Sequence, residues 1–260
     1  MMNNPPGDIP SLCRYLKLGN LANEYKQYID QADRNNGGFY GFLEIILQQE
    51  AAFKKEKSIA YRIRESHLPS PYKLLGDFDF SFQPKLKKQL IMDLATMEFM
   101  MHKESILFIG DCGTGKSHLA QGLALSACEK GYKVLYTTCS GLINDLNTGV
   151  YQKNIEQRIR RYVFPDLLII DEMGHDRLEL QVTKEAHLLF KVIDERYKQQ
   201  RSVIFTTNVA EDDWAEYLGD PVSTQALLDR IFHRSIRIEI KGASYRKHEG
   251  DKLQDKYKTR

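Results

Sequence analysis

The stretch "SILFIGDCGTGKSHLA", residues 105–120, decides the fold. "SILFI" is an apolar run of strand length, and "GDCGTGKS", Gly110 to Ser117, matches G-x-x-x-x-G-K-[ST]. "HLAQGLALSACEK" then returns to helix-forming residues. A strand that feeds a glycine-rich turn and then a helix builds a phosphate cradle. Gly110, Gly113 and Gly115 let backbone N–H groups face an anion at a helix N-terminus, where the macrodipole also favours negative charge. The loop residues Asp111, Cys112 and Thr114, with His118 just after, are expected to line the same nucleotide site. Lys116 is expected to reach the outer phosphates and Ser117 to ligate Mg²⁺.

A nucleotide site of this kind needs a carboxylate at the tip of a second strand, and "LLIIDE" supplies Asp171 and Glu172. Two adjacent acids at the end of a buried strand are costly unless something positive sits beside them. Asp171 is placed to hold Mg²⁺ through water, and Glu172 to polarise an attacking water, which favours hydrolysis over transfer to a substrate hydroxyl. A third apolar run, "SVIFTTN", ends in Thr207 and Asn208. Asn208 either orients that water or caps the next turn.

Working outward, "KVLYTT" and "RSIRIEI" complete a set of five short apolar segments that alternate with helical ones. Runs this apolar belong to strands buried on both faces, hence to a parallel sheet wrapped by helices, an α/β fold. Residues 139–166 read as a helical insertion rather than a bare loop. Before residue 68 the pattern is helical, and Phe42, Ile46, Phe53, Ala60 and Ile63 fall on one apolar face. "LPSPYKLLGDFDFSFQP" breaks it with three prolines and a glycine, so a boundary is expected near 77. A helical N-terminal domain then covers 1–77 and a nucleotide-binding domain 78–260.

Composition excludes some classes. With 42% hydrophobic and 28% charged residues the chain is that of a globular protein. No apolar run approaches the roughly 20 residues that span a bilayer, so membrane insertion is not expected. The four cysteines show no metal-ligand spacing. A cytoplasmic setting follows as an expectation. A formal net charge of +2 carries no argument for a polyanionic partner, so local clusters must. In "FKKEKSIAYRIR" Lys54, Lys57, Tyr61 and Arg64 share a helical face, with Arg62 beside them, and the insertion offers Lys153, Arg158 and Arg161. Each cluster is either a solvated basic face or a seat for phosphates. Arg230 and Arg234 in "LLDRIFHRS" either pair with local acids or project into a neighbouring subunit's nucleotide.

With the P-loop, "LLIIDE", "TTN", "LLDR" and "GASYR" in this order, the chain resembles the AAA+ ATPases of the initiator and helicase-loader clade. More closely, it looks like the IstB-type helper ATPases of insertion sequences, a likeness that includes "DFDFSFQP" and "GDPVSTQALLDRIFHRS". The resemblance implies a five-stranded AAA+ core behind a small helical domain, ATP with Mg²⁺ at a subunit interface, and self-association into multimers on double-stranded DNA. It also implies a partner transposase whose target choice the ATPase assists. By position it assigns Asn208 as the sensor beside the water, Arg230 as the arginine finger and Arg246 as a second sensor. Asp111 and Cys112 stand where the family's loop commonly has prolines, and Ser117 replaces threonine. A replicative helicase loader, a small-molecule kinase and a nucleotide-gated scaffold are the other readings these motifs allow.

Overall fold

The computed structural model describes residues 7–34, 38–174, 182–210, 214 and 221–258. These fall into two compact units, residues 1–61 and 62–260.

The first unit is helical: α1 (Ile9–Tyr15), α2 (Gly19–Arg34) and most of α3 (Gly38–Glu65). Asp8 caps α1 by accepting from the Ser11 N–H at 3.2 Å. The cap of α2 comes from a distant residue. Buried Glu50 of α3 accepts the backbone N–H groups of Asn20 and Leu21 at 3.1 and 3.0 Å, placing a negative charge on the helix N-terminus. Phe42, Ile46 and Phe53 are half-buried as their spacing predicts, whereas Ala60 is exposed. Its small side chain has too little apolar area to draw that turn inward.

The second unit is an α/β sandwich. Strands β1 (Ser105–Ile109), β2 (Val134–Thr138), β3 (Leu167–Met173), β4 (Ser202–Thr207) and β5 (Ser235–Glu239) form one parallel sheet of order β2-β3-β4-β1-β5. Alternate side chains feed two separate cores, as period two requires. Leu107, Ile170 and Phe205 pack with Leu142 and Leu146 of α7 (Cys139–Tyr151) and Val192 of α9 (Val182–Lys198). Ile106, Phe108, Ile169 and Ile204 pack with Leu119 and Leu123 of α6 (Lys116–Glu129). The short helices α4 (Lys88–Leu94) and α5 (Glu98–Met101) add Ile91 and Phe99 to this second core. The insertion is a helix pair, α7 and α8 (Ile155–Val163), and it carries part of the first core through Ile159 and Tyr162. Among the described residues no helix is long and apolar enough to cross a membrane.

The division between units lies inside α3, between Tyr61 and Arg62, whereas the prolines and glycine of 68–84 suggested a boundary near 77. Those breakers follow the end of α3 at Glu65. The Ser66 carbonyl accepts the Tyr136 N–H at 2.7 Å, Leu68 is buried in the second core, and Leu75 lies against Gly122. Residues 62–77 therefore pack as part of the sheet-bearing unit.

Candidate nucleotide site

In a parallel sheet of this order the C-terminal ends of β1, β4 and β3 lie side by side, and a crevice opens beyond them. A cleft of about 460 Å³ occupies that place, lined by the loop from Cys112 to His118, by Glu172, Thr206 and Asn208, and by Arg246. The loop glycines answer to close neighbours as well as to phosphate. Gly115 has φ +102, and a Cβ there would run into the Phe78 ring; a Cβ on Gly113, φ +82, would run into the Ser244 side chain. Phe78 and Ser244 flank the loop from segments remote in sequence, and the Tyr245 N–H donates to the Gly113 carbonyl at 2.9 Å. Gly115→Ala is therefore expected to weaken binding of a fluorescent ATP analogue about tenfold or more. A left-handed residue costs about 1–2 kcal/mol and the Phe78 contact adds to it. Unchanged affinity would show that the loop relaxes around the methyl group.

Lys116 is buried, and its ammonium donates to the carbonyls of Gly110 and Asp111 at 2.6 and 2.8 Å. Burial pulls its pKa below the ordinary lysine value, while nearby Cys112, Asp171 and Asp111 oppose that shift. Gly110 and Asp111 thus hold the lysine rather than line the cleft. Thr114 is also turned inward, its hydroxyl on the Asp111 carbonyl at 2.9 Å. His118 lines the cleft, with one ring nitrogen 2.7 Å from the Leu74 carbonyl and its ring edge-on to Phe78.

Asp171 lies beneath the cleft, 2% exposed. Its Oδ1 accepts the Ser117 hydroxyl at 2.8 Å and the Thr206 hydroxyl, and its Oδ2 accepts the Tyr136 phenol at 2.5 Å. Burial, and then the carboxylate beside it, push the Tyr136 phenol far up, so it stays a donor at any working pH. The next residue points the other way. A bulge interrupts the β3–β4 ladder between Ile170 and Met173, and Glu172 sits in it at φ +59, exposed into the cleft. A left-handed glutamate is strained backbone and persists only where its surroundings hold it. Here the Glu172 N–H donates to Thr206 Oγ1 at 3.0 Å and Asp171 Oδ1 at 3.2 Å. One carboxylate is thereby buried beside Ser117 while its neighbour faces the cleft. Ser117 Oγ and Asp171 Oδ1 are hard oxygen donors at one spot, the small protein contribution that Mg²⁺ accepts when phosphate oxygens and water supply the rest.

Asn208 reaches the same cleft, its amide 3.7 Å from the Cys112 sulfur. Arg246, at the start of α11 (Tyr245–Lys258), also lines the cleft. Arg230 is elsewhere. It lies on α10 (Pro221–His233), outside the cleft of its own chain, paired with Asp194 at 2.6 Å. Arg234 lies just past the end of that helix. Tyr136 and Thr206 went unrecognised in the sequence; the signal for each is a polar residue near the end of an otherwise apolar strand.

The basic clusters divide. Lys54 and Lys57 are exposed, Lys57 with its ammonium 4.4 Å from the Phe53 ring centroid. Arg64 pairs with Glu65 at 3.2 Å on an exposed surface. Arg62 instead lies half-buried with its guanidinium by Gly131. In the insertion Lys153 and Arg161 are exposed, but Arg158 is bound to Asp145, Gln152 and Asn154 and is three-quarters covered. Arg62 and Arg158 are thus partly buried against their own chain. Helical spacing showed which face each cluster shares but not which acids lie across from it.

Comparison with known proteins agrees with this geometry. The chain is 36% identical over 250 residues to the insertion sequence IS5376 putative ATP-binding protein of Geobacillus stearothermophilus, covering 96% of this chain and 98% of that one. It is 32% identical over 239 residues to the IS21 putative ATP-binding protein of Pseudomonas aeruginosa, covering 92% and 88%. The crystal structure of the DnaC helicase loader shares the fold with a TM-score of 0.55 at 20% identity, over 65% of this chain and 97% of that one. The α/β unit therefore has the fold of that loader. Residues 11–253 match the IstB-like ATP binding protein family, and with that span the chain belongs to it.

Proposed function

We propose that this protein is a Mg²⁺-dependent ATPase that assembles on double-stranded DNA and helps the transposase of its own insertion sequence to engage a target. The observation that carries the hydrolase reading is the split at the tip of β3, where Asp171 is buried on Ser117 and Glu172 is turned into the cleft. The N–H groups of the loop from Cys112 to Ser117 and Lys116 bind the phosphates, and the aromatic wall of Tyr72, Phe78 and Phe82 takes the base. Mg²⁺, when bound, neutralises charge on the outer phosphates. Ser117 and Asp171 would hold it, Thr206 and Tyr136 fix the carboxylate, and Glu172 takes a proton from water as it attacks. Asn208 orients that water, Arg246 senses the nucleotide, and Arg230 completes the site of the adjacent subunit.

Lys54, Lys57, Arg64, Lys153 and Arg161 are the cations we assign to DNA phosphates. None forms an array suited to base edges, so the binding is largely blind to sequence. The insertion-sequence relatives favour a transposase partner, while the DnaC likeness, at 20% identity, bears on the fold alone. The test is electron microscopy and binding with a non-hydrolysable ATP analogue and a duplex of several tens of base pairs. Multimers on DNA are expected, absent in Lys116→Ala. The affinity should fall about 10³-fold between 50 and 200 mM salt if about six phosphates are neutralised. A chain that stays monomeric under these conditions, or binds DNA without regard to salt, refutes the proposal.

A further inference from the structure

We infer that Asp194 is the positioning residue that presents Arg230 to a neighbouring subunit, an inference that rests on the trans role proposed above for Arg230. The guanidinium is held on three sides by its own chain. Its Nε donates to Asp194 Oδ1 at 2.6 Å, its Nη1 donates to the Ala226 carbonyl at 2.9 Å, and its Cζ lies 4.9 Å from the Phe190 ring centroid. Asp194 is itself anchored, 13% exposed, with Lys198 Nζ at 2.6 Å from its other oxygen. Phe190, Asp194 and Lys198 recur every four residues along α9, so one helix face supplies the platform, the carboxylate and its anchor.

The mode of pairing matters. A carboxylate meeting both terminal nitrogens would consume the fork with which arginine grips phosphate. Asp194 takes the Nε instead, and Nη2 has no partner among the described residues. The side chain, 28% exposed, is fixed in direction by these contacts. Arginine has a large rotamer entropy, and a side chain already ordered does not lose it when phosphate arrives.

An ion pair that merely joins α9 to α10 would have the same geometry, so the test must move something that packing does not. Asp194→Ala is expected to reduce DNA-stimulated turnover at least about tenfold while ATP affinity stays within about twofold. Mixing then assigns the defect. Glu172→Gln subunits bind ATP and keep Arg230, so they should restore turnover in the cradles of Asp194→Ala subunits, as they should for Arg230→Ala. Asp194→Ala mixed with Arg230→Ala should show no recovery. If Glu172→Gln fails to rescue Arg230→Ala, the trans reading itself falls. If it rescues Arg230→Ala but not Asp194→Ala, or if Asp194→Ala retains full turnover alone, Asp194 does not position the arginine. Asp194→Asn, close to isosteric, carries the same mixing test should the alanine variant unfold.

Discussion

Glu172→Gln is expected to bind ATP as tightly as the parent chain and to release phosphate at least about 10²-fold more slowly. The substitution keeps the size and shape of the side chain, and the bulge that aims it depends on the Glu172 N–H, which glutamine retains. Ser117, Asp171 and Lys116 are left in place, so the loss falls on proton removal from water rather than on binding. ATP bound by the variant should persist, and with it any nucleotide-dependent complex on DNA. Phosphate release and nucleotide retention measured on the same preparation test this. Turnover within about threefold of the parent chain would mean that Glu172 is not the base and that the strained turn at φ +59 serves another purpose.

Arg196→Met is expected to lower the unfolding free energy by at least about 3 kcal/mol, a large share of the roughly 5–15 kcal/mol that holds a domain together. Arg196 is 1% exposed on α9 and pairs with backbone carbonyls alone among the described residues: Tyr162, Val163, Pro165, Asp166 and Ser202. The first two are carbonyls at the C-terminus of α8, which have no partner inside that helix. The others lead into β3 and β4, so one guanidinium ties the end of the insertion to the start of both strands. Burial pulls its pKa down to about 9, which leaves it protonated at neutral pH. Methionine fills much of the space but leaves buried carbonyls without donors, each costing about 1–3 kcal/mol. Lysine keeps the charge with fewer donors and should fall between the two. The midpoint of urea unfolding, with its slope checked for constancy, reads the difference. A loss under about 1 kcal/mol would mean that water replaces the guanidinium.

Much of the site was legible because its signals are local. A positive φ calls for glycine, a buried parallel strand calls for an unbroken apolar run, and a phosphate cradle needs both in order. "SILFIGDCGTGKS" and "LLIIDE" therefore announce their roles from within a dozen residues. Arg230 marks the edge of that legibility. Its spacing allowed a local acid or a neighbour's nucleotide, and the structure supplies the acid, Asp194, on a different helix.

The sequence by itself determined the elements and the chemistry at their ends: a five-strand α/β core, its nucleotide loop and two carboxylates at one strand tip. Only the tertiary structure decided which partners those carboxylates meet. The sheet order seats Tyr136 of β2 and Thr206 of β4 on either side of Asp171, and a bulge sends Glu172 into the cleft. It also set Arg158 against Asp145 and packed Leu68 and Leu75 against the second core. The physical reason is one: parallel strands are joined by long crossovers, so side chains that touch across the sheet lie tens of residues apart, and their pairing is set by packing that no local pattern encodes.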